Sequence, residues 1–225
     1  MERRKLIKSI TGLALLMAVE VVLSIVSNYM PGVVNFNLAL TPIVIGSVLF
    51  GPWGGLLLGA CNGFITLIAP GTAVFVGHNA FMTIALCILK TGLAGVVSAF
   101  IYKGLRKFNK YFSIVLSGIS VPIVNTGLFV VGVILFFLPL YGEGKDGVAV
   151  LFSTVITINF LIEFLLSVIL SPAIIYIIRV TGRILALEKE ENTRKVIEEK
   201  SNEENKKTPK RKLTKNIEIN INVEL

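Results

Sequence analysis

The sequence has little charge and few of the residues that build metal or redox sites. Only 16% of its 225 residues are charged, below the roughly 25% usual for soluble domains. It contains one histidine, His78, and two cysteines, Cys61 and Cys87, without a CxxC or Cys/His spacing. We therefore predict no metal site and no cofactor.

Catalytic and nucleotide-binding motifs are also missing. The sequence has no GxxxxGK[ST] loop, no HExxH and no GxSxG. The nearest fragment to a nucleotide-binding loop, residues 142–146, lacks the required spacing. We predict that the protein is not an enzyme and does not hydrolyse ATP by itself.

Apolar residues, in contrast, are abundant and make up 54% of the chain. A helix needs about 20 apolar residues to cross the hydrocarbon core of a bilayer, so residues 9–178 suffice for about six crossings. We predict an all-α polytopic membrane protein, a bundle of six transmembrane helices over residues 1–184, followed by a charged tail over 185–225 that is disordered or partly helical. The predicted spans are 9–28, 39–50, 54–69, 79–102, 112–138 and 149–178.

The basic residues predict the orientation of these spans. Ten of the 22 Lys and Arg residues lie in 3–8, 103–110 and 179–183, whereas the loops on the other side contain only Lys145. Because cytoplasmic loops of membrane proteins are rich in Lys and Arg, both termini are predicted to be cytoplasmic, in a protein of the cell membrane. The cations of the tail are nearly balanced by acidic residues, which argues against a nucleic-acid partner.

The second and third predicted spans are short for full crossings. Gly51, Pro52, Trp53, Gly54 and Gly55 join them, which is a composition typical of a turn with Trp at headgroup depth. The sequence therefore predicts a tight hairpin between these two spans.

Ionisable residues within predicted spans are candidates for function, because they are costly in a bilayer. Glu20, Lys90 and Glu163 are such residues. Lys90 lies about eleven residues, or ~16 Å, inward from the external end of its span, and Glu163 lies at similar depth. The two side chains either neutralise each other as a structural bridge, or Lys90 holds a substrate carboxylate. Glu20 is left without an assigned role.

Further polar residues are predicted near this depth or at the external mouth. Asn159 precedes Glu163 by one helical turn, and Asn125 lies midway along the fifth span. Asn35 and Asn37 lie in the first external loop, and His78 and Asn79 open the fourth span. Each amide is alternatively a contact between helices, and His78 a side chain that reaches for interfacial water. The predicted substrate-binding residues are Asn35, Asn37, His78, Asn79, Lys90, Asn125, Asn159 and Glu163.

Small residues form a further pattern in the first span. Ala14 and Ala18 are four residues apart, a spacing that lets another helix approach closely in lipid. The pattern is compatible with a partner interface and with packing inside the bundle.

Over about residues 10–180 the sequence resembles the substrate-binding S components of energy-coupling factor (ECF) vitamin transporters. The resemblance rests on a six-helix span of this size, the Ala14-xxx-Ala18 motif, and the segments LTPIVIG at 40–46, FGP at 50–52, KTGLAG at 90–95 and PIVNTG at 122–127. It implies a subunit that captures a vitamin from outside and works with a transmembrane coupling protein and two cytoplasmic ATPases. It also implies that Ala14 and Ala18 contact the coupling protein.

The predicted function is therefore substrate capture for an ATP-driven importer of a water-soluble vitamin or related micronutrient. A lysine at pocket depth suits a carboxylate such as that of pantothenate. The segments at 138–141 and 43–46 are similar to those of riboflavin binders. Pantothenate and riboflavin are therefore both predicted as candidate substrates. The alternatives are a proton-coupled secondary carrier and a membrane scaffold without transport activity.

Overall fold

The computed structural model describes residues 2–29, 37–140, 149, 153 and 160–221, and every regular element among them is helical. The long helices are α1 (Glu2–Tyr29), α2 (Leu40–Ile68), α3 (Ala73–Leu105), α4 (Lys110–Phe136) and α5 (Leu161–Ile221). Short 3-10 turns occupy Pro70–Thr72 and Leu138–Leu140. Five candidate spans within the described residues are long and apolar enough to cross a membrane. The prediction of an all-helical membrane protein is confirmed.

Helix α2 contains both the second and the third predicted spans. For this reason the described residues hold five candidate spans, whereas the sequence predicts six. Gly51 interrupts it with φ 75° and ψ −160°, a conformation that is essentially restricted to glycine, and Pro52 follows. A Cβ placed on Gly54 would lie 2.8 Å from the carbonyl oxygen of Gly46, although eight residues of straight helix span about 12 Å. The arms 40–50 and 52–68 therefore fold back against each other, as a hairpin requires.

The second arm of α2 packs against α3 through backbone rather than side chains. Gly55 meets Gly95, Gly59 meets Thr91, and a Cβ on Gly63 would lie 2.7 Å from the carbonyl oxygen of Cys87. Such close approach is typical of helix pairs in lipid, where packing and not water exclusion drives association.

Serine hydroxyls connect the helices where the backbones come close. Ser47 donates to the carbonyl oxygen of Gly95 at 2.8 Å. Between α3 and α4, the hydroxyls of Ser98 and Ser117 lie 2.7 Å apart, and Ser117 also donates to the carbonyl oxygen of Ser98 at 2.9 Å. All four residues are buried, so these bonds satisfy polar groups within an apolar bundle.

Asparagines set two helix boundaries. Asn79 leaves helical geometry at φ −155° and ψ 97°, and its side-chain oxygen accepts a hydrogen bond from the Met82 N–H at 3.1 Å. Asn109 caps α4 by accepting from the N–H groups of Tyr111 and Phe112. Both are N-cap geometries, which asparagine favours.

The chain divides into two compact units, Met1–Ile178 and Arg179–Leu225. The apolar core of the first unit includes Ile43, Leu58, Ile114 and Ile174. In the second unit the chain remains helical through Ile221. Its exposed Glu191 accepts from Lys195 at 2.6 Å, and this hydrogen bond lowers the pKa of Glu191.

Candidate functional site

A cavity of about 290 Å³ lies within the first unit, a volume at the low end of the range for small-molecule sites. Residues from all five long helices line it, together with the segments that precede α2 and α3. The polar and charged lining residues are Ser24, Ser27, Asn37, Thr66, Thr72, Thr83, Lys90, Asn125, Thr126 and Glu163. We refer to this space as the polar cavity.

Two residues of opposite charge line the polar cavity. Lys90 of α3 places its ammonium group 4.8 Å from the ring centroid of Phe129, a cation–π distance. Glu163 of α5 is 8% exposed, and its carboxylate and Lys90 attract each other. Within the described chain, however, no direct ion pair joins them. The lysine is therefore available to a second anion.

Glu163 is held by neutral groups. The Thr126 hydroxyl lies 3.5 Å from its Oε2, at the long limit of a hydrogen bond, and the backbone N–H of Asn37 faces the carboxylate. These contacts bring the end of the first loop, α4 and α5 together at one carboxyl group.

Asn37 uses its side chain to fix the chain at the cavity wall. Its Nδ2 donates to Oδ1 of Asn62 at 3.1 Å, and its Oδ1 accepts from the Ala39 N–H at 3.1 Å. The neighbouring Leu38 N–H donates to the Ser27 hydroxyl at 3.2 Å. The segment that enters α2 is thereby tied to α1 and to the second arm of α2.

Aromatic rings form an apolar part of the cavity wall. Phe75 makes edge-to-face contacts with Phe129 and Phe137, at centroid distances of 5.8 and 5.3 Å. Such geometry is favourable for aromatic pairs. The cavity therefore combines an apolar wall with a few polar groups, as small-molecule sites generally do.

Asn125 is 6% exposed, and its Oδ1 has no hydrogen-bond partner. A buried polar atom without a partner costs free energy on the order of 1–3 kcal/mol. The Asn125 amide oxygen is thus an unpaired polar atom in the cavity lining.

Four of the eight predicted binding residues line the polar cavity, namely Asn37, Lys90, Asn125 and Glu163. His78 and Asn79 are exposed and do not line it: the His78 ring lies 5.8 Å from that of Phe137, and Asn79 caps the longer part of α3. Asn35 and Asn159 lie outside the described residues. Ala14 and Ala18 are exposed on α1.

Sequence reasoning missed the aromatic wall and the hydroxyls of Ser24, Thr72 and Thr83. Phenylalanine and serine are common in membrane helices, so nothing in their spacing separates cavity residues from lipid-facing ones.

Long apolar helices that surround a cavity lined by residues of opposite charge define a helical membrane protein with an internal polar cavity. Residues 8–175 match the family described as ECF transporter, substrate-specific component. The match covers most of the chain, so the protein belongs to this family and is the substrate-specific component of an ECF transporter. No curated protein and no solved structure matches the chain.

Proposed function

We propose that the polar cavity is the site where this protein captures a micronutrient from the external side for ATP-driven import. The observation that carries the proposal is the pairing of Lys90 and Glu163 in one cavity without a direct ion pair. Lys90 is half-buried, and an ammonium group that is partly removed from water without a bound carboxylate is costly, so an anionic substrate would compensate it. Asn37, Asn125 and Thr126 supply neutral hydrogen-bonding groups in the same lining.

The lining favours a carboxylate-bearing vitamin, and pantothenate fits this description best. Its carboxylate would accept a charge-assisted hydrogen bond from Lys90, the stronger kind of hydrogen bond. Riboflavin is the second candidate, since its flat ring system would lie against Phe75, Phe129 and Phe137. His78, Asn79, Asn35 and Asn159 remain proposed contributors at the mouth.

Import requires partners, because the sequence has no nucleotide-binding loop of its own. We propose that the protein works with a transmembrane coupling protein and two cytoplasmic ATPase subunits, with both of its own termini in the cytoplasm. Ala14 and Ala18 form the proposed contact with the coupling protein. Both are small and exposed on α1, and small residues let a partner helix approach closely.

The decisive experiment is mass spectrometry of small molecules released by denaturing the protein after gentle purification. We expect one vitamin near one equivalent, and we expect that adding it back raises the thermal midpoint. The matched variants are Lys90→Met, which should lose the bound compound, and Lys103→Met, whose exposed side chain lies outside the cavity and which should keep it. Release of no compound, with no shift by pantothenate or riboflavin, would contradict the proposal.

A further inference from the structure

Glu20 is a buried carboxyl group that the substrate cavity does not use. It lies within the membrane span of α1, is 0% exposed, and does not line the polar cavity. Neither of its oxygens has a hydrogen-bond partner. One helical turn later, Ser24 is 5% exposed and its hydroxyl also has no partner. Three oxygen atoms on one face of α1 are thus buried without a hydrogen-bond partner, and Ser24, unlike Glu20, also borders the polar cavity.

The groups that face Glu20 are neutral. Asn62 of α2, which is 1% exposed, approaches the carboxyl group without completing a hydrogen bond to it. The Asn62 oxygen is already occupied by the Nδ2 of Asn37. The neighbouring Cys61 is the titratable group that faces Glu20 from α2. In the part of the chain that the structure describes, no Lys, Arg or His side chain compensates this carboxylate.

An ionised carboxylate in a membrane interior requires a compensating positive charge. We propose that Glu20, together with Ser24, is a site for a monovalent cation, either H⁺ or Na⁺. One carboxylate balances one positive charge, and the described residues contain no group of three acidic, His or Cys side chains that would suit a multivalent metal ion. Carboxylate and hydroxyl oxygens are ligands that hard cations prefer. The Ser24 hydroxyl can also accept a hydrogen bond from a protonated Glu20 carboxyl group.

The test compares the full-length protein with the neutral, nearly isosteric variant Glu20→Gln, in lipid nanodiscs without substrate. The thermal midpoint is measured in NaCl against choline chloride at fixed ionic strength, and across pH without sodium. If the cation is Na⁺, sodium raises the wild-type midpoint by about 3 °C. Glu20→Gln removes this response, and Ser24→Ala shifts it to higher sodium concentration.

If the cation is H⁺, the wild-type midpoint falls as pH rises, because the stabilising proton is lost. Glu20→Gln makes this fall smaller, and the part that remains belongs to Glu163, the other buried carboxyl group of the described residues. The infrared band of a protonated carboxyl group is then present in the wild type and reduced in Glu20→Gln. The matched control is Glu191→Gln, which changes an exposed carboxylate of the second unit and should leave both responses intact.

Equal sodium and pH responses in the wild type and Glu20→Gln would overturn the proposal. Should Glu20→Gln fail to fold, the measurements are made in Glu163→Gln, in which Glu20 is the remaining buried carboxyl group of the described residues. If that variant shows neither the infrared band nor the sodium shift, the proposed cation site at Glu20 is wrong. Neither outcome depends on which vitamin the polar cavity binds.

Discussion

Lys90 carries a positive charge whose desolvation its neighbours in the polar cavity offset only in part. Its ammonium group lies against the Phe129 ring and is attracted by Glu163, yet among the described residues it has no directly paired carboxylate. A cation–π contact contributes on the order of 0.5–2 kcal/mol, which is less than the desolvation cost of an ammonium ion. The position of Lys90 therefore costs stability, as expected if Lys90 has the proposed role in substrate binding.

Replacing Lys90 by methionine is expected to weaken pantothenate binding by about tenfold to 100-fold. The variant keeps the length of the side chain but removes a hydrogen bond to a charged group, which is worth about 1.5–3 kcal/mol. Isothermal titration of the purified protein measures the change, with Lys103→Met as the control. Unchanged affinity in Lys90→Met would remove this lysine from the binding site.

At the residue scale, the sequence predicted which residues meet in the polar cavity better than what each residue does there. Lys90 and Glu163 were identifiable because ionisable groups are rare at membrane depth. Asn37 was predicted to bind substrate; it lines the polar cavity, and its side chain also bonds to Asn62 and to the Ala39 N–H, contacts that the sequence did not indicate. Such local bonds depend on the path of the chain between helices, which hydropathy does not encode.

At the scale of elements, the contact between α2 and α3 depends on glycines. Gly55 and Gly59 face backbone atoms of α3 with no room for a side chain. These helices carry Thr66, Thr83 and Lys90 of the cavity lining, so their separation sets the width of the cavity.

Gly59→Ala is expected to lower stability by about 1–3 kcal/mol, because the added methyl group would collide with the Thr91 carbonyl group. The matched control is Gly127→Ala in α4, where a Cβ meets no atom within 4 Å and the change should be neutral or slightly stabilising. Thermal unfolding in detergent compares the two variants. Equal midpoints would show that α2 and α3 can separate without cost.

The sequence predicted the helices well and their junctions less well. The glycines and proline at 51–55 marked the hairpin, because only glycine readily adopts the backbone angles of Gly51. The start of α3 at Ala73 rather than at 79 was not predicted, since Asn79 interrupts the helix without ending it. A cap inside a continuous helix has the same local sequence as a cap at its start.

For the whole molecule, the exposed face of α1 is where the proposed coupling partner would bind. Ala14→Trp and Ala18→Trp are expected to abolish ATP-driven uptake in vesicles containing the complete transporter, because the bulky ring prevents close helix approach. Binding of pantothenate by the isolated variants should remain, since neither residue lines the polar cavity.

The control is Val19→Trp, which should keep uptake: Val19 is exposed on the same helix but is not a neighbour of either alanine at three or four residues' spacing. Loss of substrate binding in the Ala14 and Ala18 variants would instead indicate that these alanines pack within the bundle.

Removal of residues 185–225 is expected to leave substrate affinity unchanged. Every described residue that lines the polar cavity belongs to the unit Met1–Ile178. Titration of the truncated protein with pantothenate measures this, and uptake by the truncated protein tests whether the tail has a role in transport. A weaker affinity after truncation would show that the tail influences the cavity.

The glycine contact between α2 and α3 also has an evolutionary consequence. Every single-nucleotide change in a glycine codon that alters the residue introduces a larger side chain. At Gly55, Gly59 and Gly63 each such change would insert atoms between two backbones, so purifying selection should act there more strongly than on the lipid-facing positions. Related proteins that differ widely in substrate preference are therefore expected to keep small residues at this contact between α2 and α3.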